Sequence, residues 1–121
     1  MEIKRTERGW AGHFISVNRC RFRRNTLLEL GRVRAVISTV GAMMAVDKSG
    51  VDMICRYRYY ETMVFRARKV GCYWESNVNK EISFTSKWQI EKFTEKTDKE
   101  ANDMHEAVVK EISGKIKKGE L

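Results

Sequence analysis

The segment TDKEANDMHEAVVKEISGKIKKG, residues 97 to 119, predicts an amphipathic helix and decides the fold class. Thr97 and Glu100 have the spacing of a capping box, in which each side chain bonds a backbone amide at the helix start. Lysines near the end suit the negative end of the helix dipole, and Gly119 is a stop signal. Apolar residues recur every three or four positions and form one stripe: Ala101, Met104, Val108, Ile112 and Ile116.

Strands joined by turns are predicted for the first ninety residues. Alternating or β-branched runs indicate strands over 12–17, 23–30, 33–44, 59–68 and 80–84. Turn residues separate them at 47–50, at Gly71 and at 75–79, and the segment 86–93 fits either an edge strand or a short helix. Because the connections are short, we expect four or five antiparallel strands in a meander. The prediction is a single α+β domain over residues 1–121, with a small antiparallel sheet packed against the C-terminal helix.

The composition is that of a globular protein with a basic N-terminal three quarters. Hydrophobic residues make up 42% and charged residues 33%, and the net charge is +8. Residues 1–90 carry 17 basic and 8 acidic side chains, and all twelve arginines precede Lys69. The rigid donor fork of arginine suits phosphate, which favours an anionic partner. A soluble basic surface with no phosphate role explains the same charge.

Cysteine usage and hydropathy bear on the compartment. Cys20, Cys55 and Cys72 are an odd number without close spacing, which fits a reduced cytosolic protein better than a disulfide framework. The start MEIKRTERGW has no apolar signal-peptide core, and the run AVISTVGAMMAV is too short to span a bilayer. We expect a cytoplasmic protein with no membrane partner.

The stretch RCRFRRNT, residues 19 to 26, places four arginines within six residues. An extended conformation puts Arg24 on the face opposite to Arg19, Arg21 and Arg23. Such charges fit protection of an exposed edge strand from aggregation, and they also fit a phosphate clamp. On the second interpretation, Arg23 and Arg24 are the candidate phosphate contacts.

Aromatic rings lie among the arginines, a combination that suits a nucleobase or single-stranded nucleic acid. Arg8 is followed by Gly9 and Trp10, and then by His13 and Phe14. Trp10 is the ring least easily assigned to a regular strand, so it is our first candidate for base stacking. Rings in a small sheet also commonly belong to the core.

The start of the predicted helix carries short polar side chains. Asn102 and His105 are three residues apart and share a face, and Asp103 is adjacent. A helix N-terminus with such side chains can hold an anion or a ribose, whereas an ordinary solvated helix face has the same composition. We take all three as candidate ligand contacts.

Catalytic motifs are missing from the sequence. It contains no Gly-Lys-Ser/Thr phosphate loop, no HExxH, no CxxC pair and no GxSxG elbow. The three cysteines with His13 and His105 have no metal-binding spacing, and no motif supports a cysteine–histidine nucleophile. We therefore predict a binding protein with no catalytic residue, no metal and no cofactor.

Four stretches resemble a family of small phage-encoded proteins: ERGWAGHFI (7–15), CRFRRNTLLE (20–29), RYYETMVF (58–65) and ANDMHEAVV (101–109). On these stretches, about a third of the chain, the protein is similar to the anti-Thoeris sponge family. Members of that family bind the cyclic ADP-ribose signal made by bacterial TIR proteins and sequester it without cleaving it. Some members also take up cyclic oligonucleotides of CBASS defence.

The resemblance implies a β-sheet with C-terminal helices, a homo-oligomer (dimer or hexamer) and nucleotide pockets shared between subunits. Family pockets place arginines on phosphates, an aromatic ring against the base and polar helix residues on the ribose. Positions of matching type are Arg23 or Arg24, Trp10 or Phe14, and Asn102 with Asp103. Together with the residue-level candidates, the predicted ligand-binding set is Arg8, Trp10, His13, Phe14, Arg23, Arg24, Asn102, Asp103 and His105.

Three functions are thus open at this point. The first is sequestration of a cyclic nucleotide immune signal in the host bacterial cytoplasm, which blocks antiviral defence. The second is a small basic phage protein that binds nucleic acid through its positive charge. The third is an enzyme that acts on nucleotides, and only His13, His105 and the carboxylates favour it.

Overall fold

A computed structural model describes residues 2–8, 20–42 and 59–121 and shows a five-stranded sheet with one helix. Each strand is hydrogen-bonded to the next along the chain, and every pair is antiparallel. The predicted α+β class and the meander are confirmed. The elements are β1 (Lys4–Arg8), β2 (Cys20–Leu30), β3 (Val33–Ala42), β4 (Tyr59–Val70), β5 (Tyr73–Gln89) and α1 (Glu95–Lys117).

Two-residue turns join β2 to β3 and β4 to β5. Gly31 and Gly71 open these turns in the left-handed region, with φ of 60° and 59°. Side chains with a Cβ rarely adopt this conformation, so glycine lets the chain reverse directly between paired strands. The tight turns also fix the register on either side of them.

β1 and β5 differ most from the sequence prediction. β1 was not predicted, and the predicted turn at 75–79 lies inside β5 together with the predicted strand at 80–84. Ala67 pairs with Ser76 while Phe65 pairs with Glu81, so a step of two residues on β4 faces a step of five on β5. The turn-forming residues are therefore accommodated as an irregular bulge within the strand. The predicted strand at 12–17 and the predicted turn at 47–50 lie outside the described residues.

The helix begins one turn earlier than the sequence predicts. Thr94 is the N-cap: its hydroxyl accepts from the amide of Thr97, and the Thr97 hydroxyl accepts from the amide of Thr94 at 2.8 Å. The capping box is thus formed by Thr94 and Thr97 and not by Thr97 and Glu100. At the other end, Gly119 follows the helix with φ of 73°, which agrees with the predicted stop.

The buried face of α1 carries one polar residue among apolar ones. Four of the five predicted stripe residues are buried, whereas Met104 is only partly buried. His105 lies in the stripe instead and is fully buried. Towards the helix C-terminus the interface is an apolar core of Leu28, Ala35, Ile37, Val64, Ile82, Val108, Val109, Ile112 and Ile116.

Tyr60 of β4 connects the start of the helix to the sheet. Its fully buried ring stacks on Trp88, with the ring centroids 5.3 Å apart, and meets the rings of Phe22 and Phe93 edge to face. Its hydroxyl donates to the carboxylate of Asp98 at 2.5 Å, in the first turn of α1. The aromatic group thus closes the end of the core where the helix begins.

The sheet curls towards the face that α1 does not cover. Arg8 of β1 donates to the backbone carbonyl of Trp74 in β5, and the guanidinium of Arg34 in β3 lies 4.2 Å from the Trp74 ring. The first and last strands in the sheet order therefore contact each other.

No helix within the described ranges is long and apolar enough to cross a membrane.

Replacement of Gly41 by alanine should destabilise the protein by about 1–3 kcal/mol, because the added Cβ would overpack the site. A Cβ at this position would lie 2.8 Å from Phe22 Cβ and 2.9 Å from Tyr60 Cε1, and Tyr60 is held by its ring neighbours. Gly114→Ala is the control, since nothing lies within 4 Å of its Cβ and alanine favours the helix by about 0.5–1 kcal/mol. Urea denaturation of both variants measures the contrast, and equal stabilities would contradict the packing described.

Candidate anion-binding site

Four charged side chains from three elements meet on the helix side of the sheet. We call Arg5 and Glu7 of β1, Arg24 of β2 and Glu106 of α1 the ion-pair cluster. Arg5 Nη2 lies 2.6 Å from Glu7 Oε1 and 2.7 Å from Glu106 Oε2. Arg24 Nη2 lies 2.8 Å from Glu7 Oε1, and its Nη1 lies 3.3 Å from Asn102 Oδ1. Both guanidinium groups are thus held in defined positions by acceptors on neighbouring elements.

A single carboxylate oxygen is the centre of this cluster. Glu7 Oε1 accepts from Arg5, from Arg24 at 2.8 Å and from the hydroxyl of Thr26 at 2.7 Å. Burial alone would raise the pKa of Glu7, but the hydrogen bonds from Arg5, Thr26 and Arg24 outweigh it and lower the pKa to about 2. Glu7 is therefore ionised at neutral pH and is bound as an anion by three donor groups.

A chain of hydrogen bonds runs from this carboxylate into the core. We call Glu7, Thr26, His105, Thr39 and Thr62 the polar chain. Thr26 Oγ1 lies 2.7 Å from His105 Nε2, His105 Nδ1 lies 2.8 Å from Thr39 Oγ1, and Thr39 Oγ1 lies 2.9 Å from Thr62 Oγ1. The three threonines come from three adjacent strands, and they and the histidine are fully buried. The polar half of the helix–sheet interface is therefore hydrogen-bonded throughout this chain.

His105 is neutral at physiological pH. Burial lowers the pKa of its imidazole, the charge of Arg24 lowers it further, and the carboxylates of Glu7 and Glu106 oppose the shift only in part. The resulting pKa is about 4, against 6.5 for an ordinary histidine. One ring nitrogen therefore donates and the other accepts.

The carboxylate at the outer end fixes the direction of every proton in the polar chain. An ionised carboxylate only accepts, so the hydroxyl of Thr26 donates to Glu7. Thr26 must then accept from His105, which places the imidazole proton on Nε2. The bare Nδ1 accepts from Thr39, and Thr39 in turn accepts from Thr62. All bonds point the same way, towards Glu7.

Two of the predicted ligand contacts lie together in this site. Arg24 and Asn102 are hydrogen-bonded across the sheet–helix boundary, and their contacts with a ligand remain predictions. Asp103 is exposed and lies 3.0 Å from Lys99, one turn earlier on the helix surface. Arg23 is exposed on the other face of the sheet, because neighbouring residues of a strand alternate.

Arg8 also lies on the other face, away from Arg24. Its Nε donates to Asn25 Oδ1 at 2.7 Å, and its Nη1 donates to the Trp74 carbonyl. Burial lowers the pKa of Arg8, and the charge of Glu29 partly offsets the shift. Trp10, His13 and Phe14 lie outside the described residues, so their predicted ligand contacts remain predictions.

His105 has a different place from the one predicted. We expected it on the helix surface as a ligand contact, but its ring is fully buried and both nitrogens bond threonine hydroxyls. In this structure it binds the helix to the sheet. From the sequence, the helical spacing of His105 fits the face of the buried stripe and equally the face of Asn102, so spacing does not decide between them.

Several residues of the site were not among the candidates. Arg5, Glu7, Thr26 and Glu106 form most of its contacts. One signal was available, since the alternation in KRTER places Arg5 and Glu7 on the same side of an extended segment. The partners on β2 and α1 are 19 and 101 residues away, and no local pattern indicates them.

The donors of the site are of a kind that can bind an anion. The site combines two guanidinium forks, one oriented hydroxyl and one amide, and it presents a bound carboxylate. Among the described residues, no group of three histidine, cysteine, aspartate or glutamate side chains could hold a metal ion.

Comparisons with protein-family models, with curated proteins and with solved structures found no match.

Acidification should destabilise the protein through His105. Because its pKa in the folded protein is below that of the unfolded chain, its contribution is complete above pH 6.5 and is lost as the pH falls to about 4. We expect the free energy of unfolding to decrease by about 3 kcal/mol across this window. Denaturant unfolding at a series of pH values measures the decrease, and NMR of the ring protons gives the pKa directly.

His105→Gln should flatten the pH dependence of stability in this window, since glutamine keeps hydrogen-bonding groups without titrating. His13→Gln is the matched control, because His13 is the other histidine of the chain. Loss of the pH dependence in His13→Gln and its persistence in His105→Gln would contradict the assignment.

Proposed function

We propose that this protein binds a cyclic nucleotide immune signal and sequesters it without cleaving it. The ligands are isomers of cyclic ADP-ribose and, as a second class, the cyclic oligonucleotides of CBASS defence. On this proposal the protein is phage-encoded, acts in the host bacterial cytoplasm and works as a homo-oligomer. Its effect is to keep the signal from the host effector that the signal would activate.

The observation that carries the proposal is that one described residue from each of the four family-like stretches joins the same chain of hydrogen bonds. Glu7, Thr26, Thr62 and His105 come one from each of these stretches, and all four belong to the polar chain. Only Thr39 lies outside them. One described residue from each of these segments, which are far apart in the sequence, thus belongs to the same hydrogen-bonded chain beside Arg24 and Asn102.

The geometry of Arg24 supports a phosphate contact. Its guanidinium is positioned by Glu7 on one nitrogen and Asn102 on another, and about a fifth of the side chain remains exposed. A positioned fork loses little conformational entropy when it binds a phosphate. Asn102 offers the same ligand an amide, which suits a ribose hydroxyl or a base edge.

Binding without turnover agrees with the state of the histidine in the described part of the chain. Hydrolysis of a phosphate ester or glycosidic bond needs a positioned acid or base within reach of the reacting atoms. His105 is neutral, but its ring is buried and both of its nitrogens are occupied. The neighbouring Glu7 is held as an anion by three donors, which makes it a poor base.

A retention experiment tests the proposal directly. The purified protein is incubated with a panel of cyclic ADP-ribose isomers and cyclic oligonucleotides, separated from free ligand and heated. HPLC and mass spectrometry then identify the released compounds. We expect one intact cyclic nucleotide. An altered product would indicate an enzyme, and an empty fraction together with salt-sensitive binding of DNA or RNA would favour the nucleic-acid function.

Arg24→Ala should abolish retention of the ligand while leaving the fold intact. Arg24→Lys keeps the charge but lacks the fork, so we expect partial loss, about tenfold in affinity. Glu111→Ala is the control, since Glu111 is exposed on the helix surface and is not among the candidate ligand contacts. Unchanged retention in both Arg23→Ala and Arg24→Ala would refute the arginine clamp.

A further inference from the structure

The donors around Glu7 Oε1 have the arrangement of an oxyanion site. Guanidinium groups reach the oxygen from Arg5 at 2.6 Å and from Arg24 at 2.8 Å, and the hydroxyl of Thr26 reaches it at 2.7 Å. Arg5 lies on β1, and Arg24 and Thr26 lie on β2. The anion that they bind in this structure is the protein's own Glu7 side chain. Donors of this kind bind a phosphate oxygen as readily as a carboxylate oxygen.

We infer that Arg5, Arg24 and Thr26 form a binding site for a phosphate oxygen, which the carboxylate of Glu7 fills in the unliganded protein and leaves when a phosphate binds. Glu7 is thus a resident anion that holds the site in its binding geometry. The inference rests on the proposed function only for the identity of the phosphate-bearing ligand.

The direction of the polar chain suits a phosphate as well as Glu7. Because Glu7 only accepts, Thr26 donates to it and accepts from His105 Nε2, and a phosphate oxygen in the place of Glu7 Oε1 is an acceptor that keeps the same directions. The histidine is in turn held by Thr39. A phosphate that replaces Glu7 therefore meets a hydroxyl already oriented for it, with no hydrogen bond to rearrange in the core.

Exposure and second partners explain how Glu7 can leave while the donors stay. The Glu7 side chain is 45% exposed, whereas that of Arg24 is 21% exposed and Thr26 is fully buried. Arg5 is 38% exposed, but Glu106 also binds its guanidinium, at 2.7 Å. Glu7 also lies near the end of β1, an edge strand of the sheet within the described ranges. Its carboxylate can turn into water without opening the core, and Asn102 continues to hold Arg24.

The test compares two variants that lose the same charge. Glu7→Ala empties the site, whereas Glu106→Ala removes the other carboxylate on Arg5 and leaves Glu7 in place. Inorganic phosphate is titrated into wild type and both variants at constant ionic strength, with binding followed by calorimetry and by the melting temperature. We expect Glu7→Ala to bind phosphate about tenfold more tightly than wild type, because it loses a competing charged hydrogen-bond partner.

Glu106→Ala should show a much smaller gain in phosphate affinity. Equal gains in the two variants would mean that only the overall charge matters, and would overturn the inference. Should Glu7→Ala fail to fold, Glu7→Gln serves instead, since it keeps the side-chain size and removes the charge.

The oriented hydroxyl is tested in the background of Glu7→Ala. Adding Thr26→Val removes the hydroxyl at constant size and should weaken phosphate binding about tenfold, whereas adding Thr26→Ser should retain it. In Glu7→Ala, phosphate binding should also shift the ¹⁵N resonances of the His105 ring through Thr26. Unchanged affinity in the valine variant, or no shift of these resonances, would contradict the site.

The two proposals can fail separately. If Glu7→Ala gains phosphate affinity but wild type retains no cyclic nucleotide, the oxyanion site stands and the proposed function falls. If wild type retains the nucleotide but Glu7→Ala gains no phosphate affinity, the function stands and this site is not its phosphate contact.

Discussion

The buried imidazole of His105 needs one acceptor and one donor beneath the helix, and the sheet supplies both through threonines. Thr26 and Thr39 lie on adjacent strands and bond its two nitrogens. A neutral ring with both nitrogens satisfied can be buried at little cost, whereas an unpaired one would cost about 1–3 kcal/mol. Beside the apolar core, these two bonds hold α1 on β2 and β3, and through Thr26 they connect the helix to Glu7.

The fold could be predicted well from the sequence where the signal is local. Alternation and β-branched residues indicated β2, β3 and β4, and the apolar period indicated α1. The longer extent of β5 could not be foreseen, because pairing with β4 holds turn-forming residues in a bulge. The helix start shifted because the hydroxyl of Thr97 accepts from the amide of Thr94, so Thr97 is the third residue of the capping box and Thr94 is the N-cap. Threonine suits both positions, so the local sequence does not decide between them.

The site was less predictable, since its contacts join residues that are distant in the sequence. The arginine cluster at 19–24 indicated Arg24, and the short polar side chains at the helix start indicated Asn102, and these two residues are hydrogen-bonded. The alternation in KRTER places Glu7 beside Arg5, but nothing local indicates its contacts with Arg24 and Thr26, so it resembles any surface carboxylate. His105 has the same spacing whether it faces water or the core, and only the threonines opposite it decide that it is buried.

The polar chain has a consequence for sequence divergence, because its bonds all point one way. Each inner member donates to one neighbour and accepts from the other, so losing one hydroxyl leaves a buried group without its partner on each side. Drift at Thr26, Thr39 and His105 is therefore coupled, and single apolar replacements are selected against more strongly than the simultaneous exchange of the set. The three positions should diverge together, as a block, into either another hydrogen-bonded set or a wholly apolar one.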